Sequence, residues 1–200
     1  MKYYSIYQNE TETDCASAFL PDNITLSNVE LMTADDMYLF PVNFTLKRLS
    51  LDCNGVNVSS DFSGLNDLWL DYMPNSEAWP MLSERMMETI NSFLTGNEKL
   101  KWIRCSVEHN EETKYYYVPL FQTEFNILDT AKCIYASNGI IIKRVYASSK
   151  IKDYSVFPEP SYRNWWDILP VLYVSNDVRK VIKKEKLTGI SIERAPVSDN

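Results

Sequence analysis

Two rhythms of apolar and polar positions meet near the end of this chain, and the switch between them predicts a strand, a capped helix and a second strand. In PVLYVSNDVRKVIKKEKLTGISIERAPV, from Pro170 to Val197, Leu172, Tyr173 and Val174 form a short apolar run. Ser175 follows it, where a hydroxyl oxygen can accept from the free N–H groups of a new helix. Val178, Val181 and Ile182 then recur at helical spacing, with Arg179, Lys180, Lys183 and Lys184 outside the stripe. Gly189 is expected to stop the helix in the left-handed conformation, and Ile190 and Ile192 alternate as a half-buried strand does.

The same pattern occurs earlier, in WPMLSERMMETINSFLTGNEKLKWIRCSV. Ser83 is the expected cap, Met86, Ile90, Phe93 and Leu94 the stripe, Gly96 the stop and Trp102 to Val107 the strand. Ser83, Met86 and Ile90 precede Ser175, Val178 and Ile182 by a constant offset, so two degenerate strand–helix–strand units are expected in one fold. Elsewhere, Lys2 to Tyr7 reads as a first strand covered on both faces or central in a sheet. Gln8 to Asp14 reads as a loop, and Pro21, Asp22 and Asn23 as a break. Phe44, Leu46, Leu49 and Leu51 lead to Asn54-Gly55, a tight-turn dipeptide, with Val56 and Val58 returning.

Between Asp61 and Trp79 the rhythm is lost; Leu65, Leu68, Trp69 and Tyr72 fit one helical face, with Asp67 and Asp71 on another. The strand from Trp102 turns at Glu108 to Glu112 and returns as Tyr115 to Phe121, an antiparallel hairpin. Phe125, Ile127 and Leu128 form a short apolar element. Asn138-Gly139 signals another turn, and Ile140 to Tyr146 is expected to be the strongest strand on its β-branched content. Residues 147–163 read as a polar connection, and Trp165 and Trp166 as packing residues, one of them partly exposed.

The phrases LSERMMETI and VSNDVRKVI with LTGISIERAPV, the opening MKYYSIY and the central YYYVPLFQTEFNILD resemble bacterial immunity proteins of polymorphic toxin systems, in the related immunity families eleven and forty-three. The likeness covers roughly Trp79 to Val197. It implies a protein that binds one toxin and blocks it, and it carries over no binding residue. The expected architecture is α+β, with a mixed, largely antiparallel sheet and the two degenerate units, as one domain over residues 1–200. Within it, residues 1–78 form an acidic, divergent part and 79–197 the family-like part.

Charge adds a direction. The formal net charge is −7, and residues 1–98 hold 15 acids against 4 bases whereas residues 99–200 hold 12 against 16. An acidic first half repels nucleic acid and anionic membrane and steers a basic partner, such as a nuclease-type toxin. The expected contacts are its acids Asp35, Asp36, Asp61, Asp67, Asp71 and Glu77. Neither nucleic acid nor membrane is expected as a partner; a solvated acidic surface is the plain alternative.

The remaining chemistry is read by what each site needs. Glycines at 55, 64, 96, 139 and 189 allow no phosphate-cradling loop, one histidine allows no His-Glu-x-x-His site, and no Gly-x-Ser-x-Gly elbow occurs. No catalytic residue, cofactor or metal is therefore expected. His109 is expected to be a solvated imidazole beside Glu108, Glu111 and Glu112. Cys15, Cys53, Cys105 and Cys133 lack Cys-x-x-Cys spacing and are expected to be free thiols, in a protein made in the cytoplasm. Sequons at Asn9, Asn23, Asn43 and Asn57 matter only on a secretory route. The basic run from Arg179 to Lys186 reads as a solvated helix face. Two alternatives stay open: a hydrolase whose distant acids, such as Asp71 and Glu159, meet as a carboxylate pair, and an interaction module of another regulatory complex.

Overall fold

The computed structural model describes residues 1–9, 13–22, 24, 28–53 and 55–198, side chains of 28 and 29 apart. Asn23, Asn54 and the middle of the run from Gln8 to Asp14 lie outside the described residues. In chain order the first elements are β1 (Tyr3–Gln8), β2 (Asp14–Phe19), α1 (Asn28–Thr33), β3 (Tyr38–Leu39), β4 (Phe44–Asp52), β5 (Gly55–Ser59), β6 (Tyr72–Met73), β7 (Met81–Ser83), α2 (Glu84–Asn91), β8 (Leu100–His109) and β9 (Glu112–Phe121). They are followed by β10 (Ile134–Tyr135), β11 (Ile141–Lys143), β12 (Tyr146–Ala147), α3 (Ser148–Ile151), β13 (Val156–Pro158), β14 (Leu172–Ser175), α4 (Asn176–Lys184), β15 (Ile190–Arg194) and β16 (Val197–Ser198).

The protein is α+β, and its larger sheet is mixed. That sheet runs β2-β4-β8-β9-β7-β6, with β5 joined to β4 and β3 to β8. The pairs β3–β8 and β4–β8 are parallel and the others antiparallel. A second sheet runs β13-β14-β1-β15, all antiparallel, which places β1 centrally as its mixed pattern suggests.

Alternation along β8 and β9 serves two cores. Trp102, Tyr117 and Phe121 pack with Tyr3, Ile90, Val174 and Ile182, while Ile103, Cys105, Val107, Tyr116 and Val118 pack on the opposite face with Phe44, Trp79 and Met81. The first core contains an aromatic cluster in which Phe157 stacks on Tyr173 at 5.2 Å and Tyr146 tilts against Tyr173 at 4.5 Å.

Both helices begin where the serines place them. Ser83 Oγ accepts from Met86 N–H and Ser175 Oγ from Val178 N–H, with nearly identical extended cap dihedrals. β7 and β8, the strands joined by α2, both pair antiparallel with β9, which lies between them. β14 and β15, joined by α4, both pair antiparallel with β1, which lies between them. Ser83 faces Tyr116 and Ser175 faces Tyr3; Tyr117 lies between Leu82 and Arg104, and Tyr4 between Val174 and Arg194.

Several expectations need correction. The helices end at Asn91 and Lys184, before Gly96 and Gly189; Gly189 is left-handed at φ 74° as expected, but the first left-handed residue after α4 is Lys186 at φ 52°. Residues 61–79 hold turns and β6, with no helix: Asp61 and Asp67 carboxylates accept from Ser63 and Trp69 N–H, and these local bonds favour turns over a helical ladder. Leu65, Leu68 and Trp69 accordingly pack on one core and Tyr72 on the other.

Ile140 to Tyr146 is broken. Val145 N–H is directed at Cys133 Sγ, Val145 C=O accepts from Asp129 N–H, and Tyr146 N–H goes to Pro196 C=O, so β12 leaves β11 for β16. The supposed polar connection contains α3 and β13, whose Val156 and Phe157 are core residues. Trp165 is exposed and Trp166 half-buried, so neither is a core residue. His109 is half-buried, its ring 4.5 Å from that of Phe62, and not fully solvated. No disulfide joins the four cysteines; Cys53 is exposed and the others buried.

The buried tyrosines give the fold an alkaline limit. Burial, and then the charges of Asp153 and Glu98, push the Tyr3 hydroxyl up to about 12, and burial also raises Tyr72, Tyr116, Tyr146 and Tyr173. In the unfolded chain these groups ionise near 10. The folded state thus keeps protons that the unfolded state has lost, and the stability they contribute, full below pH 10, is lost as pH rises through the folded values. Tyrosinate absorbance from these side chains is expected to rise together with loss of circular dichroism above about pH 10. A full tyrosinate signal with the fold intact would contradict this.

Candidate functional site

Asp71 lies just before β6, in the segment that runs beside both cap-bearing regions. Its Oδ1 accepts from Ser83 Oγ at 2.6 Å, and its Oδ2 accepts from Thr188 N at 2.9 Å and Thr188 Oγ1 at 3.3 Å. The backbone repeats the link, since Ser83 N–H donates to Asp71 C=O and Tyr72 N–H to Thr188 C=O. Arg85 stands 3.7 Å from Oδ2 and donates to Glu185 C=O, binding α2 to the end of α4. Asp71 is only 5% exposed, so its carboxylate is occupied within the chain.

A cleft of about 520 Å³ opens beside it, lined by Asp67, Trp69, Glu84, Lys114 and Tyr115 among others. Trp69 Nε1 donates to Glu112 Oε2 at 3.0 Å, and Lys114 Nζ lies 4.7 Å from the centre of the Trp69 ring and 3.3 Å from Glu112. Of the six expected contact acids, this cleft gathers Asp67 and Asp71. Asp36 instead accepts from Met37 and Trp102 N–H at the start of β8, with exposed Asp35 beside it. Asp61 borders Arg48, which donates to its backbone carbonyl, and Glu77 lines a separate groove. Trp102 and the Glu112 end of the cleft occupy opposite ends of the β8–β9 hairpin, roughly 23 Å apart at strand rise. The acids are therefore dispersed.

The groove that holds Glu77 is larger, about 840 Å³, and also contains Trp79, Arg144, Glu159 and Tyr162. Arg144 Nη1 meets Glu159 Oε1 at 2.7 Å, with the two side chains 17% and 18% exposed, and its guanidinium lies 4.9 Å from the Tyr162 ring centre. Burial pushes the Glu159 carboxyl up while Arg144 pulls it down. Asp71 and Glu159 line different cavities and keep different partners, so they form no carboxylate pair.

Beside this groove β10 and β11 form a two-stranded ribbon. Its base is fixed by the Cys133 and Val145 bonds and its tip by Ala136 N–H to Ile140 C=O. Ile134, Tyr135, Ile140 and Ile142 are exposed along it, Ile142 to 69%. Tyr162, 60% exposed, donates from its hydroxyl to Ile141 C=O at 3.2 Å. The Asn138-Gly139 signal located the ribbon's turn; β-branched content carried no information on which side chains stay in water.

A scan of known protein-family models finds no match to this chain, and a search of characterised proteins finds none either.

Proposed function

We propose that this chain is an immunity-type protein that neutralises a toxin by stoichiometric binding and performs no chemistry itself. The observation that carries this reading is the internal use of its best-placed carboxylates: Asp71 is closed by Ser83 and Thr188, and Glu159 by Arg144, while large apolar side chains remain in solvent. Buried acids spent on structure make a rigid body, and exposed apolar and aromatic groups are what partner surfaces use.

The scaffold itself is read as two related units. In each, a serine-capped helix joins two strands that flank an antiparallel third, with a tyrosine facing the cap. The middle strand comes from after the helix-linked strands in one unit and from the start of the chain in the other. The acidic first half steers a basic toxin toward this scaffold, so association should slow with added salt.

Expression of the adjacent open reading frame with and without this chain tests the function. Growth arrest by that product alone, rescue by this chain and co-purification of the two are expected. Rescue without a complex, or no arrest, would contradict the reading.

A further inference from the structure

A two-stranded ribbon has no third strand to cover it, and successive residues on a strand point to opposite faces. Ile134 and Tyr135 are neighbours on β10 and both are exposed, as are Ile140 and Ile142 across the turn. Tyr162 extends this apolar surface at one side, where it is held against the ribbon by its hydroxyl bond to Ile141 and by the Arg144 guanidinium. A surface fixed at its base, apolar on both faces and built from isoleucine and tyrosine carries the kind of exposed apolar side chains that partner surfaces use.

Charge selects the occupant. Arg144 is neutralised by Glu159, but Lys143 and Arg163 are exposed, and no described acid lies within ion-pair distance of either. Two copies meeting ribbon to ribbon about a two-fold axis would bring these cations against their own counterparts, which disfavours a second copy. Nucleic acid needs more than two free cations and offers nothing to three exposed isoleucines, on a chain of net charge −7. A partner that covers exposed side chains on both faces of the ribbon has to present a cleft.

We infer that the β10–β11 ribbon with Tyr162 is the docking surface, and that it inserts into a partner protein's apolar cleft rimmed by carboxylates that meet Lys143 and Arg163. This rests on the binding function proposed above and names its contact surface. The acids expected from sequence to make contact then act at a distance, through steering.

The test uses the full chain and the purified product of the adjacent reading frame, with affinity measured by calorimetry. Ile142→Asp is expected to weaken binding by about 30-fold or more, the loss of one interface anchor. Lys143→Glu combined with Arg163→Glu is expected to weaken it about tenfold at low salt, whereas Lys152→Glu, outside the ribbon, leaves it unchanged. All these positions are exposed, so circular dichroism and melting temperature should match the wild type and exclude misfolding. Wild-type affinity in the Ile142 and double variants, with the complex intact, overturns the assignment and leaves the binding function standing. A wild-type chain that binds no such product contradicts the function itself, and the surface assignment falls with it. Sedimentation of the chain alone and a gel shift with a single-stranded oligonucleotide complete the test: a dimer, or a nucleic-acid complex, that the ribbon variants abolish assigns the surface to that occupant and overturns the proposal.

Discussion

Asp71→Ala is expected to lower the melting temperature by about 9 °C, from a loss of about 3 kcal/mol in a chain of this length. The substitution leaves the Thr188 N–H and the Ser83 hydroxyl without the acceptor that holds them at 2.9 and 2.6 Å. Donors stripped of a buried acceptor cost about 1–3 kcal/mol, which is more than an intact hydrogen bond contributes. Asp71→Asn keeps the shape and one acceptor oxygen, and its cost is expected to be nearer 1 kcal/mol. Asp67→Ala, at an exposed position on the same segment, should cost no more than about 0.5 kcal/mol. Hydrogen exchange at the Thr188 amide supplies a local readout. A melting temperature for Asp71→Ala within a degree or so of the wild type would show that the two cap-bearing regions are held together by something else.

Gly189→Ala should be similarly severe, for a different reason. Its φ of 74° is left-handed, and an added Cβ would lie 2.5 Å from Tyr72 O and 2.9 Å from Leu70 Cβ. The backbone here is fixed on both sides, by Tyr72 N–H to Thr188 C=O and by Asn9 N–H to Gly189 C=O, so the clash cannot be relieved by a rotamer change. The left-handed conformation accounts for about 1 kcal/mol and the overpacking for about 2 more. Gly139 provides the comparison: its φ is 81°, but nothing lies within 4 Å of an added Cβ, so Gly139→Ala should show the backbone cost alone. Equal melting temperatures for the two variants would contradict the close approach at Gly189.

Those two residues also mark how far the sequence can be read. The serine caps were legible because capping is local: the acceptor, the N–H three residues on and the apolar stripe lie within one turn of each other. The β8–β9 hairpin and β1 were legible for the same reason, through strand composition and a polar turn. β2 was not, because Cys15, Ala16, Ser17 and Ala18 are all buried, so no polar face alternates with an apolar one. Asp71 read as a surface acid beside Asp67, since its partner Thr188 lies 117 positions away and no local pattern points to it. Gly189 looked like a helix stop; its requirement is the space between residue 189 and the segment from Leu70 to Tyr72, which only the folded chain creates. The Arg144–Glu159 pair and the exposed ribbon share that character. Burial of one and exposure of the other follow from where β12 and β13 are taken up by other strands, and the β-branched run Ile140 to Ile142 looks the same in either case.

The most direct measurement for the whole account is a titration of toxin activity with this chain, at a toxin concentration far above the dissociation constant. Binding without chemistry requires activity to fall in a straight line and vanish at one equivalent, with no dependence on the time of mixing. Complete inactivation by a small fraction of an equivalent, progressing with time, would show that the chain acts as a catalyst and would contradict the account.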